Sequence, residues 1–335
     1  MKTSTFNFTA LPTKEFSTLP SIEIPYSTLP MDRIEIFVYK WEPDTSPKAA
    51  VQFVHGLAEH AKRYTELAEA LCKEGYICYA NDQRGHGLTA GDLTEATLEG
   101  HAGVLGENGW RSIVNDIHQL SNIIKKENPN IPLFLIGHSW GAMLVQDYIQ
   151  EWGNEIRGCI LSGTNGKIRA LVLKAGKVIV KGEIKKLGPT APSQKMHDMN
   201  FKSYNHDWQL EESATGFEWL SRDKSEVQKY VDDPWCGFIS PATLWLENIK
   251  GNKKIYDEKN EQKIPKDLPI HFISGALCPV GNKTKGVKAM IERLKKYGLT
   301  EVTYKFYPDT RHELFHEINR EEVFKDVINW LDSHL

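Results

Sequence analysis

Apolar residues follow two different rhythms along this chain of 335 residues, one typical of buried strands and one of helices. Nearly continuous apolar runs of strand length occur at residues 49–54 (AAVQFV) and 132–136 (PLFLI), as expected for strands buried on both faces of a sheet. Other strand patterns lie at residues 33–41, 76–80, 157–161, 269–274 and 302–307. Apolar residues at helical spacing predict helices at residues 64–74, 110–124, 143–152, 287–297 and 321–335.

The order of these elements predicts the fold class. Strands that alternate with helices form βαβ units, and therefore an α/β fold with a mostly parallel central sheet flanked by helices. The alternation stops at residues 164–238, where the pattern is helical and lacks a convincing buried strand. We interpret this stretch as a helical cap inserted between two parts of one core, residues 1–163 and 239–335. The charged residues 250–266 are interpreted as an exposed linker, and the first 30 residues as irregular or as an edge strand.

Composition and charge exclude several classes of protein. The net charge of −3 gives no strong field of either sign, so nucleic acid is not expected as a partner. Five cysteines form no CxxC pair, which indicates neither a zinc site nor a disulfide framework and fits reduced thiols in a cytoplasmic protein. The first residues lack a secretory signal, and no apolar run reaches the length of a membrane span. The oligomeric state is not indicated by the sequence.

The motif GHSWG at residues 137–141 is the strongest chemical signal in the chain. It follows the apolar run at 132–136 and opens a helical pattern, which is the strand–turn–helix setting of a nucleophilic serine. Glycines flank the serine because the turn is too sharp for side chains at those positions. A plain tight turn would also contain glycines, but it does not require this setting. We therefore predict that Ser139 is the nucleophile, held at a helix N-terminus that favours negative charge.

A second loop, HGLAEH at residues 55–60, follows the run at 49–54. Its Leu57 N–H, together with the Trp140 N–H, is predicted to form an oxyanion hole for the substrate carbonyl. The alternative is a metal site, but the H-x-x-x-E-H spacing on a loop differs from the helical H-E-x-x-H of zinc enzymes, so no metal is expected. His312 follows the strand pattern at 302–307 late in the chain, as the order Ser…acid…His requires, and is the predicted general base.

These motifs resemble the monoacylglycerol lipase and lysophospholipase branch of the α/β-hydrolases. The matching segments are HGLAEHAKRY from residue 55, DQRGHG from residue 82, GHSWG from residue 137 and RHE from residue 311, with GFEWLSRD and YVDDPWCGF in the cap. The resemblance implies an α/β-hydrolase fold with a helical cap, no cofactor, and hydrolysis of acyl esters of glycerol or of lysophospholipids. It also implies the same roles for Ser139, His312, Leu57 and Trp140, and a bracing role for residues 82–87.

Cys278 departs from the pattern of this branch. The family has an aspartate immediately before Pro-Val-Gly, and this chain has Cys278 in that position. A carboxylate there orients the general base and stabilises the imidazolium, and losing it in a serine hydrolase costs about 10⁴ in kcat. Asp309 is too near His312 in sequence for good geometry, and Ser162, Thr164 and Asn165 after the preceding strand carry no carboxylate. The sequence therefore predicts a weakened hydrolase. The alternatives are that Cys278 acts as a thiolate beside the imidazolium or, after oxidation, as a sulfinic acid.

The start of the cap is strongly basic. Between residues 166 and 190 the only acid is Glu183, whereas the bases are Lys167, Arg169, Lys174, Lys177, Lys181, Lys185 and Lys186, interleaved with apolar residues. Such a segment allows peripheral contact with an anionic membrane. The other interpretation is a cap helix that buries an apolar stripe and exposes its charges.

Three functions remain open from the sequence. The first is a serine hydrolase that cleaves esters of monoacyl lipids through an acyl-enzyme on Ser139. The second is a serine aminopeptidase-like hydrolase, in which cap carboxylates such as Glu211, Glu212 and Glu218 would hold a free amine. The third is a catalytically impaired lipid-binding homologue, for which Cys278 is the argument.

Overall fold

One mostly parallel sheet organises the part of the chain that the computed structural model describes, namely residues 1–11, 34–91, 101–208 and 214–335. Its eight strands lie in the order β1-β2-β4-β3-β5-β6-β7-β8. The strands are β1 (Lys2–Thr9), β2 (Glu35–Glu42), β3 (Ala49–Val54), β4 (Tyr76–Asn81), β5 (Leu133–His138), β6 (Gly158–Ser162), β7 (Ile270–Gly275) and β8 (Val302–Tyr307). Pairing is antiparallel for β1 with β2 and for β2 with β4, and parallel elsewhere. The predicted fold class is therefore confirmed.

Helices cover both faces of this sheet. Those of nine or more residues in the described ranges are α1 (Thr65–Lys73), α2 (Gly109–Glu127), α3 (Trp140–Trp152), α4 (Ala170–Leu187), α5 (Lys224–Asp232), α6 (Ala242–Ile255), α7 (Lys285–Lys296) and α8 (Arg320–Asp332). Side chains of β5 alternate between the faces: Leu133 and Leu135 pack under α2 and α3, while Phe134 and Ile136 pack under α1 and α8. Burial on both sides explains why this strand is apolar throughout.

The start of the chain adds one strand to the sheet. Residues 2–9 form an antiparallel edge strand on β2, as one of the two interpretations expected. Residues 12–33 lie outside the described part. No helix in the described ranges is both long enough and apolar enough to cross a membrane.

The predicted linker at residues 250–266 is wrong. Helix α6 continues to Ile255, and Gly251, Asn252 and Ile255 are buried within that stretch. Gly251 packs so closely on the Trp110 ring that a side chain would overlap it. The lysines here alternate with small and apolar residues at helical spacing, so the charges occupy the outer face while the other face joins the core.

The chain between β6 and β7 is helical and lies over the carboxyl ends of the strands that carry the candidate site. Helix α4 packs against α6 through Val180 and Ile184 on one side and Ala242 and Leu246 on the other. The division into a core and a cap at residues 164–238 stays a prediction, because α6 and the preceding helices share one cluster.

Candidate active site

Ser139 lies in a sharp turn between β5 and α3. Its φ of 53° is in the left-handed region, which is rare for a residue with a side chain and costs about 1–3 kcal/mol. The surrounding structure holds this conformation: the Ser139 N–H donates to the Ser162 carbonyl at 2.8 Å. A Cβ at Gly137 would come within 2.7 Å of the Gly141 carbonyl oxygen, and one at Gly141 would overlap the Val54 carbonyl. Both flanking positions therefore require glycine, as the motif predicted.

The loop after β3 brings Leu57 to the same cavity as Ser139 and Trp140. In the described part of the chain, neither the Leu57 N–H nor the Trp140 N–H donates to a protein acceptor. The neighbouring Gly56 N–H donates to Oε1 of Glu59 at 2.5 Å. This bond fixes the backbone of the loop from beneath, so that the Leu57 N–H is left for a ligand.

His312 and Cys278 meet behind the serine. The Cys278 sulfur lies 3.1 Å from Nδ1 of His312, and both side chains are buried. Burial raises the pKa of the Cys278 thiol to about 11, although the Val280 and Gly281 N–H groups and the Ser274 hydroxyl favour the thiolate. Burial also lowers the pKa of His312 well below its usual value, and His138 lowers it further. Near neutral pH, the pair is therefore a neutral thiol beside a neutral imidazole.

The structure brings four of the five predicted site residues to one cavity. Leu57, Ser139, Trp140 and His312 line it, and Cys278 lies behind His312. Among the described groups the Ser139 hydroxyl has no hydrogen-bond partner, so proton transfer to His312 requires a small side-chain movement. Such contacts are often long without substrate and tighten when substrate binds.

The cavity above Ser139 has a volume of about 340 Å³ and is mainly apolar. Its lining includes Met143, Ile168, Val172, Leu173, Met196, Phe201, Trp219, Trp245 and Ile249. The Trp219 and Trp245 indole N–H groups are buried without a hydrogen-bond partner in the described structure. An apolar lining suits a ligand that is mostly hydrocarbon, since neither indole nitrogen is open to the cavity.

An ion-pair network that the sequence analysis missed ties the loop of Leu57 to the loop of His312. Arg63 donates two bonds of 2.7 Å to Glu313, the neighbour of His312, and one of 2.6 Å to Glu59 below the Leu57 loop. Burial alone would raise the pKa of Glu313, but the Arg63 guanidinium outweighs this and holds the pKa well below its usual value. These charged residues lie in the motifs HGLAEHAKRY and RHE, but the sequence analysis gave Glu59, Arg63 and Glu313 no role.

Residues 82–87 make the contacts expected of a brace. The Asp82 carboxylate accepts the Ala61 and Leu88 N–H groups, each at 2.8 Å. Gln83 donates its backbone N–H to the His55 ring at 2.9 Å and its side-chain amide to the His55 carbonyl at 2.8 Å. These bonds hold the segment just after β4 against both ends of the loop that contains Leu57.

Of the cap carboxylates considered for amine binding, the structure describes Glu218, which does not line the cavity. Glu218 accepts the Thr215 N–H at 2.5 Å and the Asn205 side-chain amide at 2.8 Å, so its oxygens are occupied within the protein. Glu211 and Glu212 lie outside the described residues.

Helix α4 contains most of the basic segment and is largely exposed. Leu171, Val172 and Val178 have 78%, 51% and 71% of their surface in solvent. Only Val180, Glu183 and Ile184 of this helix are buried. A buried apolar stripe therefore accounts for the end of α4, whereas its first turns expose apolar side chains among lysines.

Comparison with known proteins agrees with this geometry. Residues 45–319 match the family model described as "Serine aminopeptidase, S33". The chain is 35% identical over 307 residues to the monoglyceride lipase homolog of Monkeypox virus, covering 90% of this chain and 95% of the relative. It is 27% identical over 299 residues to the monoacylglycerol lipase of Mycolicibacterium smegmatis, covering 88% and 92%. A carboxyl esterase from Bacillus coagulans, solved with glycerol, superposes with a TM-score of 0.83 at 25% identity, covering 100% and 99%.

Proposed function

Because this chain belongs to the serine aminopeptidase S33 family and has the α/β-hydrolase fold, we propose that it cleaves esters of monoacyl lipids through an acyl-enzyme on Ser139. Its similarity to monoacylglycerol lipases and to a carboxyl esterase identifies it as a carboxylic ester hydrolase. The observation that carries the proposal is one mainly apolar cavity that contains Ser139, His312 and two unpaired backbone N–H groups.

The proposed reaction has two halves. In the first, the Ser139 oxygen attacks the ester carbonyl while Nε2 of His312 takes the hydroxyl proton, and the negative oxygen accepts the Leu57 and Trp140 N–H groups. His312 then gives the proton to the leaving alcohol. In the second half, His312 takes a proton from water, the hydroxide attacks the acyl-enzyme, and the proton returns to Ser139 as the fatty acid leaves.

The shape and polarity of the cavity favour a monoacylglycerol or a lysophospholipid. A volume of about 340 Å³ lined mainly by apolar side chains suits one acyl chain rather than three. Five thiols without a disulfide suit the reducing cytoplasm, where we place the protein.

Cys278 in this proposal takes the position of the triad acid and weakens the enzyme. Its contact with His312 and the surrounding donors from Ser274, Val280 and Gly281 suit an anion. A thiol with a pKa of about 11 stays neutral at pH 7, so it orients the imidazole but does not balance the charge of the imidazolium. We expect kcat about 10²–10⁴ below that of a carboxylate-containing counterpart.

We also propose that α4 touches the lipid surface from which substrate enters. Its exposed Leu171 and Val178 lie among lysines, a combination that suits insertion between anionic head groups. Val172 is on the same helix and lines the cavity. A lipid leaving the surface at this point would therefore meet the cavity directly.

A fluorophosphonate probe tests the central claim. The probe should label the parental chain and Ser139→Ala should abolish both labelling and hydrolysis of p-nitrophenyl esters, because only an activated serine reacts. Ser225→Ala, at an exposed position in the same region, serves as the matched control. A Ser139→Ala chain with parental esterase activity would refute the assignment.

Substrate class is tested separately from mechanism. Monoacylglycerols and lysophospholipids of increasing chain length should be cleaved faster than acetate esters or triacylglycerols. The description of the matched family favours a second candidate, release of N-terminal residues from peptides. Cleavage of a proline amide in preference to every ester would support that candidate, and labelling without any turnover would support a lipid-binding homologue.

A further inference from the structure

Three metal-ligand side chains meet at one point outside the proposed catalytic group. Nε2 of His60 lies 2.8 Å from Oδ2 of Asp233, and the ligand atoms of His60, Asp233 and Cys236 all lie within 4.8 Å of one another. His60 belongs to the loop after β3, whereas Asp233 and Cys236 follow α5. Imidazole, carboxylate and thiolate are the ligands that Zn²⁺ uses in proteins.

The separations are close to those of a tetrahedral site. Bonds of about 2.0–2.3 Å to Zn²⁺ put neighbouring ligand atoms roughly 3.3–3.8 Å apart. The His60 and Asp233 atoms would move apart by less than about 1 Å, and the Cys236 sulfur would approach by a similar amount. The ion would lie between these two atoms, with the proton of the neutral His60 imidazole on Nδ1 instead of Nε2.

Hydrogen bonds already orient the ligands. The other carboxylate oxygen of Asp233 accepts the Trp235 N–H at 2.9 Å, which turns Oδ2 towards His60. The Cys236 N–H donates to the Asp233 carbonyl at 2.9 Å, which closes the turn that brings the two ligands together. Such supporting bonds to ligand side chains are typical of metal sites.

The two segments are also held against each other. The Ala58 carbonyl accepts the Gly237 N–H at 2.9 Å and the Tyr230 hydroxyl at 2.8 Å. These bonds lie on either side of the ligands, with Ala58 two residues before His60 and Gly237 directly after Cys236. The ligands therefore meet without any refolding of the loops.

Charge and access both suit a cation. The nearby carboxylates of Glu59, Glu313, Asp232 and Asp233 outnumber the cations of Arg63, Lys62 and Lys229 by four to three. A cavity of about 580 Å³ opens beside the cluster, lined by His60 and Asp233 and by Tyr39, Lys62, Lys229 and Trp235. It has room for an entering hydrated ion and for water as a fourth ligand.

We propose that His60, Asp233 and Cys236 bind one Zn²⁺ ion, with water as the fourth ligand, and so fasten the segment after α5 to the loop after β3. Cys236 binds as the thiolate and its proton goes to solvent. The site takes no part in ester hydrolysis. The sequence analysis predicted no metal because it compared only the spacing within residues 55–60 with known zinc motifs. Two of the proposed ligands lie more than 170 positions further along the chain.

Metal-free full-length protein titrated with Co²⁺ provides a direct test, because thiolate bound to Co²⁺ gives a charge-transfer band in the near ultraviolet. The band should rise to one equivalent and disappear when Zn²⁺ is added. Zn²⁺ should bind with a Kd at or below about 1 μM and raise Tm by about 2 °C or more, whereas Mg²⁺ should do neither.

Variants identify the ligands. Cys236→Ser should lose the band, and Asp233→Asn or His60→Gln should weaken Co²⁺ binding at least about tenfold. The controls Cys72→Ala and His206→Gln should bind like the parent. Asp233→Asn keeps the side-chain volume, so it tests the site even if Cys236→Ser folds poorly. The proposal is wrong if the parent shows neither band nor Tm shift at about 100 μM metal, or if Cys236→Ser keeps the full band.

Discussion

The sulfur of Cys278 lies 3.1 Å from Nδ1 of His312, within hydrogen-bonding distance of the proposed general base. Burial raises the pKa of the thiol, whereas the Gly281 and Val280 N–H groups and the Ser274 hydroxyl favour its ionised form. A carboxylate would accept stronger hydrogen bonds from these donors than a neutral thiol does. These surroundings suit the carboxylate that we propose for this position.

Restoring the carboxylate should therefore raise activity. We expect Cys278→Asp to increase kcat on p-nitrophenyl esters by about 10²–10⁴, because the carboxylate both orients His312 and stabilises the imidazolium. Cys278→Asn is the matched control, since it offers a similar shape without charge. Equal kcat for the parent and Cys278→Asp would mean that the position is not the acid position of the triad.

The pH dependence of activity should reveal the state of His312. Burial lowers the pKa of this imidazole, and the base must be neutral to accept the serine proton. In the parent, the midpoint of the acid limb in the pH profile of kcat/KM should therefore lie below about pH 6.5, the ordinary pKa of histidine. A carboxylate in Cys278→Asp stabilises the imidazolium and raises its pKa, so the limb should move to higher pH. An unchanged or lowered limb would show that the two side chains do not interact.

The bond between Arg63 and Glu313 should matter for stability. Glu313→Gln removes one of the two carboxylates that compensate the buried Arg63 guanidinium and leaves Glu59 in place, so we expect the free energy of unfolding to fall by about 1–3 kcal/mol. Urea denaturation at pH 7 measures the loss. Lys202→Met, which breaks the exposed pair with Asp198, should leave the free energy of unfolding nearly unchanged.

The same pair predicts the direction of a pH effect. The pKa of Glu313 is lowered in the folded protein from the ordinary value of 4.5, so its contribution is fully present above that value and is lost as pH falls through the folded pKa. The difference in stability between the parent and Glu313→Gln should therefore be constant above about pH 5.5 and shrink in acid. A difference that grew in acid would contradict the lowered pKa.

Sequence patterns predicted those elements of the fold in which almost every residue is buried. Strands β3 and β5 are buried on both faces, so nearly every residue is apolar and their ends could be located within one or two residues. The end of helix α6 was missed because its lysines dominate the count of charges, whereas Gly251 and Asn252 on its buried face do not look apolar in the sequence. The packing of Gly251 on Trp110 depends on a neighbour far away in the sequence.

The residues of the candidate site also differ in whether the sequence alone could identify them. Ser139 was predictable because the turn imposes glycines at fixed positions beside it, and Cys278 because it interrupts a motif. Arg63 and Glu313 were not predictable as partners, since 250 positions separate them and nothing local shows which charges will pair. A sequence motif therefore predicts a site only where residues that are neighbours in the chain form it, as they do in the turn around Ser139.

The exposed face of α4 gives the last prediction, which concerns membrane contact. Leu171 and Val178 are among the most exposed large apolar side chains of the described residues, and the lysines around them would reach anionic head groups. Each apolar side chain that enters the interface should contribute about 1–2 kcal/mol, and each nearby lysine about 1 kcal/mol. Co-sedimentation with vesicles of anionic phospholipid measures the binding.

We expect Leu171→Ser and Lys177→Glu each to weaken vesicle binding about tenfold, while hydrolysis of a soluble short-chain ester stays unchanged. Added salt should weaken the parent more than Lys177→Glu, because screening acts on the charge contribution alone. Ile318→Ser is the matched control, since Ile318 is 63% exposed but lies beyond β8, away from α4. If Ile318→Ser weakened binding as much as Leu171→Ser, the contact would be nonspecific, and if neutral and anionic vesicles bound equally, the lysines would have no part in it.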